Sequence, residues 1–183
     1  MTDDINERTG HLESLLKNIL PWMSQQMKSS TLNMHPVGLT TMVEQVLDES
    51  SFKIDHKEIK VNLDALVNYQ VMSNHSALTT VLRNTLGNAI KYSMRSGQIE
   101  ISSQKIKAKQ VLLTISDYGV GMSQETTKEK YETLQSSRGT EGEKGLGIGL
   151  KLSKDIMISM GGEIKIESVV NEGTSVTLKL QAA

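Results

Sequence analysis

The stretch from Gly139 to Leu150, Gly-Thr-Glu-Gly-Glu-Lys-Gly-Leu-Gly-Ile-Gly-Leu, holds five of the chain's 14 glycines. No ordinary helix or strand accepts that density, because each interior glycine weakens the element by up to about 1 kcal/mol. Residues without side chains let backbone N–H groups close around an oxyanion. Ile148, Leu152 and Ile156 follow at four-residue intervals, so the loop feeds into the first turn of a helix, where anions are favoured. Taken alone, this stretch fits two readings: a phosphate-cradling loop at a helix start, or a flexible linker.

A chain of 183 residues accommodates one domain with a proper core and an appended element. With 20 basic and 21 acidic residues, a net charge of −1 leaves no basic footprint for nucleic acid. The absence of cysteine excludes disulfides and thiolate metal sites. No apolar run approaches the roughly 18 residues of a membrane span, and Asp3, Asp4 and Glu7 make the start unlike a signal peptide. A cytoplasmic segment with no membrane contact is expected, while a parent protein could be anchored elsewhere.

Residues 4–28 place Ile5, Leu12, Leu15, Leu16, Ile19, Leu20, Met23 and Met27 on one side of a helix, a stripe suited to a bundle. Pro21 should kink it, since proline presses on the carbonyl four residues back. Periodicity is lost from Met27 to His35, so residues 1–35 read as a bundle helix with its linker and residues 36–183 as a separate domain. A helix is expected from near Val37, with Leu39, Met42, Val43, Val46 and Leu47 on its buried side. Ile59, Val61 and Leu63 alternate, and an extended piece at Gln70 and Val71 leads to Asn74, a good N-cap.

The helix predicted from His75 to Ser93 buries Leu78, Leu82, Leu86 and Ala89 and carries Asn84, Asn88 and Lys91 as a narrow polar stripe, flanked by Tyr92. A solvated face is the bland explanation. Asparagine is a poor mid-helix residue, however, and amide oxygens can ligate magnesium while a lysine meets a phosphate. Ile99 and Ile101, then Val111 to Ser116, read as a hairpin that ends in Asp117-Tyr-Gly119-Val-Gly121-Met122. Asp117 is then either a turn former or a carboxylate aimed at an amino group. Residues 123–144 exceed usual loop length and suggest a lid, with disorder as the alternative. The last helix should stop at Gly161-Gly162, and a hairpin through Asn171-Glu172-Gly173 closes the chain. This order indicates an α+β, two-layer sandwich, a mixed sheet with helices on one face, rather than a doubly wound sheet.

Four pieces stand in fixed order: Asn84-Thr-Leu-Gly-Asn88-Ala-Ile-Lys91-Tyr92-Ser93, Asp117-Tyr-Gly119-Val-Gly121, Gly145-Leu146-Gly147-Ile-Gly149-Leu150, and Gly173-Thr174. Together they resemble the N, G1, G2 and G3 boxes of the ATP-binding domain of sensor histidine kinases, over roughly residues 37–183. The resemblance implies the GHKL ATPase sandwich, shared with gyrase and mismatch-repair ATPases, and ATP with Mg2+ as ligands. It places the magnesium ligand on Asn88, helped by Asn84, a phosphate contact on Lys91, and a pocket wall at Tyr92. It has Asp117 read the adenine amino group with Thr174 in support, Gly119 and Gly121 shape the turn, and Gly145, Leu146, Gly147, Gly149 and Leu150 close over the triphosphate. Lys144 or Arg138 would add charge at the γ-phosphate. The family's phenylalanine box is replaced by Tyr131 and Leu134.

By the same resemblance, residues 4–28 look like the second helix of a dimerisation hairpin, which implies a homodimer and a response-regulator receiver domain as partners. The family's acceptor histidine is followed by an acidic residue, and commonly by proline at the fourth position after it. His11 is followed by Leu12, with Leu15 at that fourth position, so it is not expected to accept phosphate. His35, His56 and His75 are expected to do no chemistry. The implied function is γ-phosphoryl transfer from ATP to a histidine on a helix absent from this chain. The alternatives are a serine kinase of the anti-sigma type and a nucleotide-sensing module without transfer.

Overall fold

The computed structural model describes residues 32–107, 109–123, 125, 138–143 and 149–183. The expected bundle helix with His11, the residues Tyr131 and Leu134, and the run Lys144 to Ile148 lie outside the described residues.

Among these, ten elements follow in order: β1 (His35–Gly38), α1 (Leu39–His56), β2 (Lys60–Asn62), β3 (Gln70–Ser73), α2 (His75–Tyr92), β4 (Gln98–Lys107), β5 (Gln110–Asp117), α3 (Gly149–Ser159), β6 (Glu163–Val169) and β7 (Gly173–Ala182). One strand is new relative to the sequence reading. His35 to Gly38, expected to be linker and helix start, pairs antiparallel with β3, so α1 begins at Leu39. Pro36 is tolerated because β1 lies at the sheet edge. Four residues are too few to display a period of two.

The sheet runs β1-β3-β7-β5-β4-β2, with β6 also on β7. All pairs are antiparallel except β2 with β4, which makes the sheet mixed. In β5, buried and half-buried residues alternate without a break: Val111, Leu113 and Ile115 face the helices. They join Ile99 and Ile101 of β4, Val176 and Leu178 of β7, and Leu78, Leu82 and Leu86 of α2 in one core. Truncating a fully buried leucine such as Leu82 to alanine in such a core costs about 3 kcal/mol. Helix α2 lies between α1 and α3 and also touches β5, so its C-terminal end arrives beside the end of β5. Helix α3 ends at the expected Gly161-Gly162, where Gly162 N–H donates to Met157 O at 2.8 Å.

Candidate nucleotide site

Helix α2 starts as its sequence dictates, with Asn74 Oδ1 accepting from Ala77 N–H at 3.1 Å. Its other end builds the site. The last carbonyls of a helix have no partner within the helix, and here the C-cap residue Ser93 and distant segments take them. Ser93 N–H and Oγ–H both donate to Ala89 O. Lys57 Nζ donates to Ile90 O at 3.1 Å and Lys91 O at 3.0 Å. Thr140 N–H donates to Lys91 O at 3.1 Å, Val120 N–H to Tyr92 O at 3.2 Å, and Thr140 Oγ–H to Ser93 O at 2.7 Å. One helix end thus holds both the turn after β5 and the start of the glycine-rich stretch.

The turn after β5 is governed by the alternation of that strand. Asp117 is in phase with Val111, Leu113 and Ile115, so its carboxylate points to the covered face and is only 7% exposed. Burial pushes its pKa up to about 6, against the pull of the Gly119 and Thr174 backbone N–H groups; the Gly119 N–H lies 3.0 Å from Oδ1. A side chain at Gly119 would run into Tyr92 O, the carbonyl that anchors the turn. Gly121 has φ +59° and abuts Val169 O, a left-handed position and a close approach that only glycine satisfies without strain. Thr174 lies opposite Asp117 in register. Its hydroxyl meets Ser168 Oγ at 2.9 Å, and Ser168 Oγ also accepts from Met122 N–H at 2.8 Å. Ser168, which the sequence reading passed over, ties this turn to the last hairpin.

On the helix stripe, Asn84 Nδ2 donates to Gly149 O at 3.2 Å and Ser153 Oγ at 3.3 Å. Its amide nitrogen is committed to fixing the first turn of α3, and a Cβ at Gly149 would press on the Asn84 amide carbon at 3.3 Å. Gly149 is therefore the place where α3 meets α2. Leu150, assigned to the nucleotide by resemblance, is half-buried and packs on the core. Asn88 is half-buried one turn after Asn84, and Lys91 Nζ lies 4.9 Å from the Tyr92 ring centroid. Arg138 is exposed. Lys144, Gly145, Leu146 and Gly147 lie outside the described residues. Thus Lys91, Tyr92, Asp117, Gly119, Gly121 and Thr174 gather about the C-terminal end of α2, with Asn88, and then Asn84 with Gly149, further back along the same helix.

Among the described residues, no group of three or more histidine, cysteine, aspartate or glutamate side chains could hold a metal. A divalent cation here would rely on amide oxygens and on phosphate. That donor set suits magnesium, which takes few protein ligands, and the commitment of Asn84 Nδ2 to Gly149 and Ser153 leaves Oδ1 as the amide's metal-compatible atom.

Comparison with known proteins bears on the family and the fold. The sensor-like histidine kinase SenX3 of Mycobacterium tuberculosis is 29% identical over 155 residues, covering 82% of this chain and 37% of its own length. The circadian input-output histidine kinase CikA of Synechococcus elongatus is 27% identical over 181 residues, 95% of this chain and 24% of its own. The chain thus spans well under half the length of these curated relatives. The structure of the Acinetobacter baumannii histidine kinase AdeS superposes with a TM-score of 0.76 at 20% identity, over 99% of this chain and 83% of that one. The catalytic domain of histidine kinase ThkA gives 0.67 at 21%, over 81% and 95%; both show the fold. Residues 73–183 match the family described as histidine kinase-, DNA gyrase B-, and HSP90-like ATPase, and the chain belongs to that family, with the α+β sandwich and ATP as nucleotide that membership entails.

Proposed function

We propose that this chain is the ATP-binding catalytic part of a two-component sensor histidine kinase, which passes the γ-phosphoryl group of ATP to a histidine outside the described residues. The observation that carries the reading is the buried Asp117 carboxylate, set on the covered face of the sheet beside the C-terminal end of the asparagine-bearing helix. An ionised carboxylate there accepts from the adenine amino group, which guanine does not offer in that position. Asn88, with Asn84 Oδ1, would hold Mg2+, whose bound charge neutralises the phosphates. Lys91 meets a phosphate oxygen, and Tyr92 closes the side of the pocket. Lys144, Gly145, Leu146 and Gly147 complete the phosphate end by resemblance alone. The chain itself supplies positioning, which together with electrostatic stabilisation accounts for nearly all of the catalysis in phosphoryl transfer.

Homodimerisation through residues 1–35, a receiver domain as the recipient of the phosphoryl group and a cytoplasmic location belong to the same proposal. Their support is the apolar stripe of residues 4–28 and the kinase relatives; no helix among the described residues is long and apolar enough to cross a membrane. The test is incubation with γ-labelled ATP, with and without a helix that carries a histidine in the family's acceptor context. The isolated chain is expected to bind ATP without labelling itself, and the added helix to acquire acid-labile label. Label on the isolated chain that disappears with His11→Gln makes His11 the acceptor, and acid-stable label supports a serine kinase.

A further inference from the structure

Lys57 follows α1 directly and has no evident part in the motifs above, yet its side chain is only 4% exposed. A lysine that deep needs strong partners, because burying an unpaired ammonium is prohibitive. Besides the carbonyls of Ile90 and Lys91, Nζ donates to Thr140 Oγ1 at 2.8 Å and meets Glu143 Oε1 at 2.7 Å. Residues 139–143 are closed on themselves by Gly139 N–H to Glu143 O at 2.8 Å and Gly142 N–H to Gly139 O at 3.0 Å, while Glu143 Oε2 accepts from Glu141 N–H at 2.9 Å. The single ammonium therefore joins three things: the last turn of α2, which carries Lys91 and Tyr92; Thr140; and Glu143, two residues before Gly145 in the chain.

We propose that Lys57 is a positioning residue of the nucleotide site, clamping the Gly139–Glu143 turn to the C-terminal end of α2, so that the turn stays fixed against the helix end that carries Lys91 and Tyr92. The inference rests on the reading of the site as an ATP site and deepens it. It has a directional consequence. The adenine contacts at Asp117, Gly119 and Thr174 are fixed by strand register and by the Tyr92 carbonyl, none of which Lys57 touches, so the clamp should bear on the phosphates and not on the base.

The experiment measures binding of Mg-ATP and of adenosine, separately, to the parent chain and to Lys57→Met, Glu143→Gln and the double variant, with circular dichroism as the check on folding. Lys57→Met is expected to weaken Mg-ATP binding about tenfold, since small misplacements of binding groups are expensive, and to leave adenosine within about twofold of the parent. Glu143→Gln, at the solvent side of the clamp, should give the same pattern to a smaller degree and remain folded even if Lys57→Met does not. The double variant should fall short of the sum, as expected for partners in one network. Unchanged Mg-ATP affinity in folded Glu143→Gln and Lys57→Met, or parallel losses for ATP and adenosine, overturns the clamp while leaving the ATP site intact. A parent chain that binds neither ligand refutes the site itself.

Discussion

The two ends of the proposed nucleotide site are built in different ways. At the adenine end, Asp117, Gly119, Gly121 and Thr174 sit on adjacent strand termini, and their geometry follows from strand alternation, register and close backbone contacts. At the phosphate end, Asn84, Asn88 and Lys91 project from a helix, and what keeps them in place comes from far along the chain: Gly149 and Ser153 for Asn84, Lys57 and Thr140 for the helix end. The first kind of construction is rigid and sterically exacting. The second is a set of polar ties that can be altered one at a time, which suits a site whose ligand carries its charge at that end.

From that contrast, the largest effect should come from the adenine end's backbone. Gly121→Ala forces a side chain into a left-handed position and onto Val169 O, at an expected cost of about 3 kcal/mol or more. Chemical denaturation measures it, and a loss below about 1 kcal/mol would mean that the turn yields and that the end is not exacting.

Next comes Asp117→Asn, which retains an oxygen for Gly119 N–H but presents no full carboxylate to adenine. The preference for ATP over GTP should fall by about a hundredfold, the worth of a charged hydrogen bond, as competition binding would show. The same residue fixes the pH response. Because its folded pKa is raised from 3.8 to about 6, the nucleotide-free fold binds this proton more tightly than the unfolded chain, and stability from this group declines as pH rises from about 4 to about 6. ATP affinity should move the opposite way, falling as pH drops below about 6 and the carboxylate protonates. Asp117→Asn should flatten both profiles, which paired melting and titration series would reveal. Glu143 has the contrary sign. Its burial acts to raise its pKa, but the Lys57 ammonium and nearby backbone N–H groups outweigh that and hold it low. Its contribution to stability is therefore present above the ordinary glutamate range and lost only as pH falls through the lowered value.

At the phosphate end, Asn88→Ala should weaken Mg-ATP binding about tenfold through loss of a cation ligand, and should do so far less when magnesium is withheld. Equal losses with and without the metal would argue for packing. The smallest effect belongs to the exposed flank of the same helix. Arg83 pairs with Glu49 through Nε at 2.6 Å and Nη2 at 2.9 Å, and Arg83→Ala should cost no more than about 1 kcal/mol and leave nucleotide affinity unchanged.

Apart from β1, the order of helices and strands, the mixed sheet and the caps at Asn74 and Gly161-Gly162 were legible in the sequence, because each is written in local periodicity and in residues with local preferences. So was the polar stripe of α2, since positions three and four apart share a helix face. Asp117 was legible only in part. As a turn aspartate it is unremarkable, and the informative signal is its phase: the sixth residue after Val111 must lie on the buried face if the strand runs unbroken to its end. The strand His35–Gly38 was not legible, because four residues display no period and Pro36 argues against pairing unless the edge position is known. Nothing local marks Lys57, Thr140, Glu143 or Ser168 either. Their partners lie 33 to 86 residues away for Lys57, from Ile90 to Glu143, and 46 for the Ser168 contact with Met122. The sequence by itself thus determined which faces are buried and which residues share a face, through short-range sterics and the hydrophobic period. Only the tertiary structure decided where the unpaired carbonyls at the end of α2 found their donors, because a hydrogen bond between distant segments depends on how the whole core brings them together.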